Sequence, residues 1–66
     1  MQIIVNGKPR EAPEGISVLD LLEEIKLNPQ TTIVELNRTV LNQEAFGKKR
    51  LGEGDSLELV RLVGGG

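Results

Sequence analysis

The chain predicts an α+β fold: a mixed sheet packed on one helix, with two strands before the helix and further strands after it. Three observations lead there. The dipeptide Asn6-Gly7 stands between the β-branched run Ile3-Ile4-Val5 and a polar return. A single helical stripe of apolar residues runs from Val18, bracketed by Ser17 and Pro29. Alternating apolar residues then fill Ser56 to Val63, just before the closing glycines.

The first strand spans Met1 to Val5 and the second Lys8 to Ala12. Asn6-Gly7 joins them because a type I′ turn needs positive φ at both central residues. Pro9 cannot donate to a ladder, so the second strand belongs at a sheet edge. Pro13-Glu14-Gly15 breaks the pattern. Ser17 is the candidate N-cap, with Asp20 three residues on and suited to the positive end of the helix dipole. The helix extends to Lys26 with Val18, Leu19, Leu22 and Ile25 in the stripe, Leu21 on its margin, and Glu23 and Glu24 on the solvated side. Pro29 is expected to stop it.

Thr32 to Asn37 is the next strand, with Val34 and Leu36 on one face and Ile33 and Glu35 on the other. Asn37-Arg38-Thr39 turns the chain into a short strand at Val40-Leu41. Gln43 to Phe46 forms one helical turn, with Phe46 plugging the core. Gly52-Glu53-Gly54-Asp55 is a plain turn, since neither a following helix nor a Lys-Ser/Thr pair makes it a phosphate loop. In the last strand Leu57 and Leu59 point to the core, and Ser56, Glu58, Val60 and Leu62 point away. Ile4 shares that outward parity, so Ile4, Val60 and Leu62 are expected to form a small apolar contact patch for a partner.

Composition narrows function more than any interior motif does. The chain has 66 residues, with 38% hydrophobic content, 27% charged residues and a net charge of −2. That length gives one small domain, assigned to residues 1–63, with a flexible glycine tail at 64–66. The balance of charge argues against nucleic-acid binding, which needs a basic face. Neither a long apolar run nor a leader pattern is present, so a soluble cytoplasmic protein away from membranes is expected. Cysteine and histidine are both absent. Disulfides, the usual zinc sites, a thiol nucleophile and a histidine base are thereby excluded. Lys48-Lys49-Arg50 is a basic loop that could meet an acidic partner, although a solvated loop explains it as well.

Gly64, Gly65 and Gly66 supply no side chain to bury and lose the most backbone entropy on ordering. They offer instead a thin thread ending in an α-carboxylate, which a narrow slot could admit where a Cβ would clash. The expectation is a substrate or carrier, not an enzyme, with Gly66 as the reactive group.

The ββαββ order, with the last strand beside the first as a parallel central pair, is that of a β-grasp. The hairpin at Asn6-Gly7, the stripe Val18-x-x-Leu21-Leu22, Leu36-Asn37, Gly54-Asp55-x-Leu57-Glu58-Leu59 and the closing Val63-Gly64-Gly65-Gly66 together resemble the ThiS/MoaD ubiquitin-like family. The short length resembles its thiamine sulfur carriers most. The resemblance implies that an E1-like adenylyltransferase (ThiF type) activates the Gly66 carboxylate with MgATP. It further implies that a cysteine desulfurase or rhodanese-like protein supplies sulfur to make a thiocarboxylate, and that thiazole synthase (ThiG type) consumes it. Gly65 would enter the partner's slot without a clash and Gly64 would serve as lead. No metal or cofactor would be bound by the chain itself. The molybdopterin synthase small subunit and ubiquitin-like modifiers share the same diglycine ending and are the alternatives.

Overall fold

The computed structural model describes residues 1–62. Val63 to Gly66, and with them the predicted boundary at 63 and the tail, lie outside the described residues. Strands β1 (Gln2–Val5) and β2 (Lys8–Glu11) form the first hairpin, followed by helix α1 (Val18–Glu24). A 3-10 turn at Pro29–Thr31 leads into β3 (Thr32–Leu36) and β4 (Thr39–Leu41). A second 3-10 turn at Gln43–Ala45 and a long loop lead to β5 (Ser56–Arg61). The sheet order is β2-β1-β5-β3-β4, with β1 and β5 parallel and the other neighbours antiparallel. This is the predicted β-grasp, with the last strand at the centre.

Local chemistry explains each junction. Asn6 (φ 51°) and Gly7 (φ 81°) take the positive dihedrals the first hairpin requires. Asn37 (φ 50°) and Arg38 (φ 71°) do the same between β3 and β4. Pro9 sits on the edge strand, opposite Ile4.

The start of α1 leaves none of its first amides unpaired. Val18 N–H donates to Lys49 O at 3.0 Å and Leu19 N–H to Phe46 O at 2.9 Å. Asp20 N–H donates to Ser17 Oγ at 3.0 Å, which is the predicted cap. Leu21 N–H reaches Ser17 O at 3.0 Å.

The end of α1 departs from expectation. The helix stops at Glu24, before Pro29 can act. Lys26 turns left-handed (φ 64°) and donates to Glu23 O at 3.1 Å, and Leu27 N–H reaches back to Leu22 O at 2.8 Å. Those two bonds make a Schellman motif with lysine where glycine is usual. Leu27 then packs on the core. The sequence offered no glycine to mark this stop, so proline drew the boundary too late.

One sheet face and α1 enclose an aliphatic core. Ile3, Val18, Leu21, Leu22, Val34 and Leu57 are fully buried, and Phe46 closes one end. Leu21 is central, not marginal, whereas Leu19 is only half-buried. Thr32 occupies a core-facing position by donating its hydroxyl to Asn28 O at 2.7 Å. Burying an aliphatic side chain is worth about 1.5–3 kcal/mol, so these few residues carry most of the favourable term. The opposite sheet face has no helix over it among the described residues.

Candidate functional site

The site is built around the downstream end of β5. β1 accompanies only its start, pairing Ile4 with Ser56 and Val5 with Leu57. β3 runs alongside much farther, from Leu36 opposite Leu57 to Thr32 opposite Arg61. Leu62 N–H extends this contact by donating to Thr31 O at 2.7 Å. On the other side the Asn6 side chain takes over where β1 ends, its Oδ1 accepting Leu59 N–H at 2.8 Å. The last described residues thus leave the middle of the sheet along a strand held on one side by β3.

The three predicted contact residues are all exposed: Ile4 at 36%, Val60 at 53% and Leu62 at 53%. The register does not bring them together. Ile4 faces Ser56, and Val60 lies four residues farther along β5, roughly 13 Å away at ~3.3 Å per residue. Val60 instead stands directly opposite Ile33, which is itself exposed. Val40 lies diagonally across from Ile33, because its direct partner is Glu35. The apolar surface beside the exit of β5 is therefore Val60, Ile33, Val40 and Leu62. Sequence parity had put Ile33 on this face. What it lacked was the pairing of β3 with β5, which only the folded sheet supplies.

Between that surface and Ile4 lies a polar row. Glu58 on β5 is directly opposite Glu35 on β3. Asn37 closes the end of the row, donating Nδ2 to Asp55 Oδ1 at 3.1 Å and accepting Ser56 N–H on Oδ1 at 3.0 Å. The turn before β5 is plain, as predicted: Asp55 Oδ2 accepts Gly52 N–H at 2.7 Å, and Gly54 N–H donates to Gln2 O at 2.8 Å.

The basic loop is partly tied down. Leu51 N–H donates to Ile16 O at 2.9 Å and Arg50 Nη1 to Gly15 O at 3.2 Å, leaving Lys48 and Lys49 exposed. Among the described residues no group of acidic residues is arranged to hold a metal ion, and no helix is long and apolar enough to cross a membrane. Gly64, Gly65 and Gly66 lie outside the described residues.

The model of the ThiS family matches residues 3–66, nearly the whole chain including the glycine run. The chain belongs to the ThiS family. It is 34% identical to the sulfur carrier protein ThiS of Bacillus subtilis, covering 94% of this chain and 96% of that one. The crystal structure of the thiamine biosynthesis protein ThiS from Geobacter metallireducens superposes with a TM-score of 0.86 at 38% identity, each chain fully covered. A thiazole synthase of Magnetococcus marinus is 35% identical over all of this chain, which spans only 20% of that protein's length. The ThiS family is one of sulfur carriers in thiamine biosynthesis, and the mixed five-stranded sheet on one helix is its fold.

Proposed function

We propose that this ThiS-family chain carries sulfur as a thiocarboxylate on Gly66 and delivers it to thiazole synthase in the cytoplasm, where ATP for activation is at hand. The observation that carries the reading is the family match running through the glycine tail to residue 66. The composition supports it: the chain has neither cysteine nor histidine to act as its own nucleophile or base.

The chemistry follows from what a carboxylate lacks. Its oxygen is a poor leaving group, so an E1-like adenylyltransferase first uses MgATP. The Gly66 carboxylate attacks the α-phosphorus and pyrophosphate departs, leaving an acyl adenylate. A persulfide from a cysteine desulfurase or rhodanese-like protein attacks the carbonyl carbon and AMP departs. A thiol then cleaves the resulting acyl disulfide, which leaves sulfur on Gly66 and a disulfide on the donor. The metal, the nucleotide and the electrostatic stabilisation belong to the partner.

The carrier supplies position. Three extended glycines reach about 10 Å, enough to enter a buried slot while the globule stays outside. The exposed residues Val60 and Leu62, with Ile4 farther off, are the proposed contacts on that globule.

Likeness to the thiazole synthases of Magnetococcus marinus and Paramagnetospirillum magneticum over the full length of this chain favours thiazole over molybdopterin as the destination. The test is transfer. Carrier charged with labelled sulfur is mixed with thiazole synthase or with the large subunit of molybdopterin synthase, each with its own substrate. Label should leave Gly66 only in the first mixture. Transfer only in the second would overturn the thiazole assignment, and high-mass conjugates would indicate a modifier.

A further inference from the structure

The turn that joins β1 to β2 carries chemistry of its own. Asparagine is a thermolabile residue, because its side-chain carbonyl lies one ring closure from the next backbone nitrogen. Of the four asparagines, only Asn6 precedes glycine. Asn28 precedes Pro29, which has no N–H to lose. Asn37 and Asn42 precede Arg38 and Gln43, whose Cβ atoms crowd the approach. Asn37 is also held at both ends of its amide, by Asp55 and by Ser56. Asn6 is exposed. Gly7 stands in open space, with no heavy atom beyond its chain neighbours within 4 Å of where a Cβ would sit. Water and solvent base therefore reach both residues.

The closed turn holds the reaction off. A succinimide ring needs Asn6 Cβ and Gly7 N to eclipse about the Asn6 Cα–C bond. Asn6 is left-handed, at φ 51°. In that region ψ is about +47°, which sets Cβ nearly trans to Gly7 N. Closing the ring thus takes almost a half-turn about ψ, and two interactions oppose it. Val5 and Lys8 pair across the turn. Asn6 Oδ1 accepts Leu59 N–H at 2.8 Å, anchoring the side chain to the central strand.

We propose that Asn6 is a site of spontaneous deamidation gated by the fold, inert while the turn is closed and reactive when this hairpin end opens. The Gly7 nitrogen gives its proton to solvent base and attacks Asn6 Cγ. The new Cγ–N bond forms, the side-chain nitrogen leaves as ammonia, and a succinimide remains. Water then opens the ring. Attack at Cγ gives aspartate; attack at the main-chain carbonyl carbon gives isoaspartate, with the chain running through Cβ and Cγ.

The two products differ in consequence. Aspartate keeps the turn, since it tolerates the left-handed region and its carboxylate still accepts Leu59 N–H. Isoaspartate adds a methylene to the main chain inside a two-residue turn and takes one from the side chain, so the carboxylate falls short of Leu59. From Leu59 to Arg61, β5 then keeps only β3 beside it. One opening leaves a permanent lesion next to the strand that leads to the glycines.

The test follows the full chain at mildly alkaline pH, in buffer and in urea above its unfolding midpoint. Isoaspartate is read by enzymatic methylation of its carboxylate and located by peptide mapping. In urea it should accumulate at Asn6 ahead of Asn28, Asn37 and Asn42. In buffer it should form at Asn6 about tenfold or more slowly. That slowing should match the hydrogen-exchange protection of the Leu59 amide within about threefold, because the same opening releases both. Asn6→Gly should remove the signal. Refolded chain carrying isoaspartate at position 6 should lose protection at the Leu59 amide, whereas Asn6→Asp should keep it.

Equal rates in buffer and urea would overturn the gate, and so would slowing that departs from the protection of Leu59. Isoaspartate forming first at another asparagine in urea would overturn the site. Full protection of Leu59 in the refolded isoaspartate chain would overturn the consequence drawn from it.

Discussion

Asn6 does two jobs that alanine cannot combine. Its backbone sits at φ 51°, and its Oδ1 accepts Leu59 N–H at 2.8 Å, tying the first hairpin to the central strand. Asn6→Ala should cost about 1–3 kcal/mol in urea unfolding, because it strands a partly buried donor and strains the turn. Asn6→Gly should lose only the hydrogen-bond part. Lys26 presents the opposite case. It holds a left-handed backbone at φ 64° with an exposed side chain. Relief of about 1–2 kcal/mol of backbone strain outweighs a loss of about 0.4–1 kcal/mol to unfolded-state freedom. Lys26→Gly should therefore raise the thermal midpoint by a few degrees, and a lowered midpoint would contradict the Schellman assignment. In the tail, Gly65→Ala should slow pyrophosphate release by the adenylating enzyme about tenfold or more. Gly64→Ala should slow it less, because Gly64 is proposed as the lead and Gly65 as the residue next to the reacting carboxylate.

At the scale of elements, what the sequence revealed and what it hid divide along a physical line. Features set by local chemistry were legible: the Asn6-Gly7 turn, the Ser17 cap, the edge position of Pro9 and the inward parity of Leu57 and Leu59. Features set by long-range pairing were not. The centring of α1 on Leu21 depends on where the sheet lies beneath it, and the early stop at Lys26 on Leu27 finding the core. The separation of Ile4 from Val60 depends on register, which parity alone cannot supply. That register yields a prediction. Val60 is the more exposed of the two, at 53% against 36% for Ile4, so Val60→Ser should move stability by no more than about 0.5 kcal/mol and Ile4→Ser by somewhat more. Val60→Ser should weaken binding to the adenylating enzyme severalfold, and Ile4→Ser should weaken it less. Equal losses would mean that the contact spans the whole sheet face.

As a whole molecule, the chain separates its tasks in space. An aliphatic core between α1 and one sheet face holds the fold; the other face is left open with Val60, Ile33 and the Glu35–Glu58 pair. The central strand runs past both toward the glycines. This arrangement suits a carrier whose globule is recognised by surface while its terminus reacts inside another protein. The direct test is the intact mass of the chain after incubation with MgATP, the E1-like enzyme and a persulfide donor. Trapping by a thiocarboxylate-selective alkylating reagent is needed because oxidation of Met1, the single methionine, nearly matches an oxygen-to-sulfur exchange in mass. The expected product is one alkylated thiocarboxylate located at Gly66, absent when ATP is omitted or Gly66 is deleted. An unmodified terminus under full turnover conditions, or trapping that survives deletion of Gly66, would contradict it.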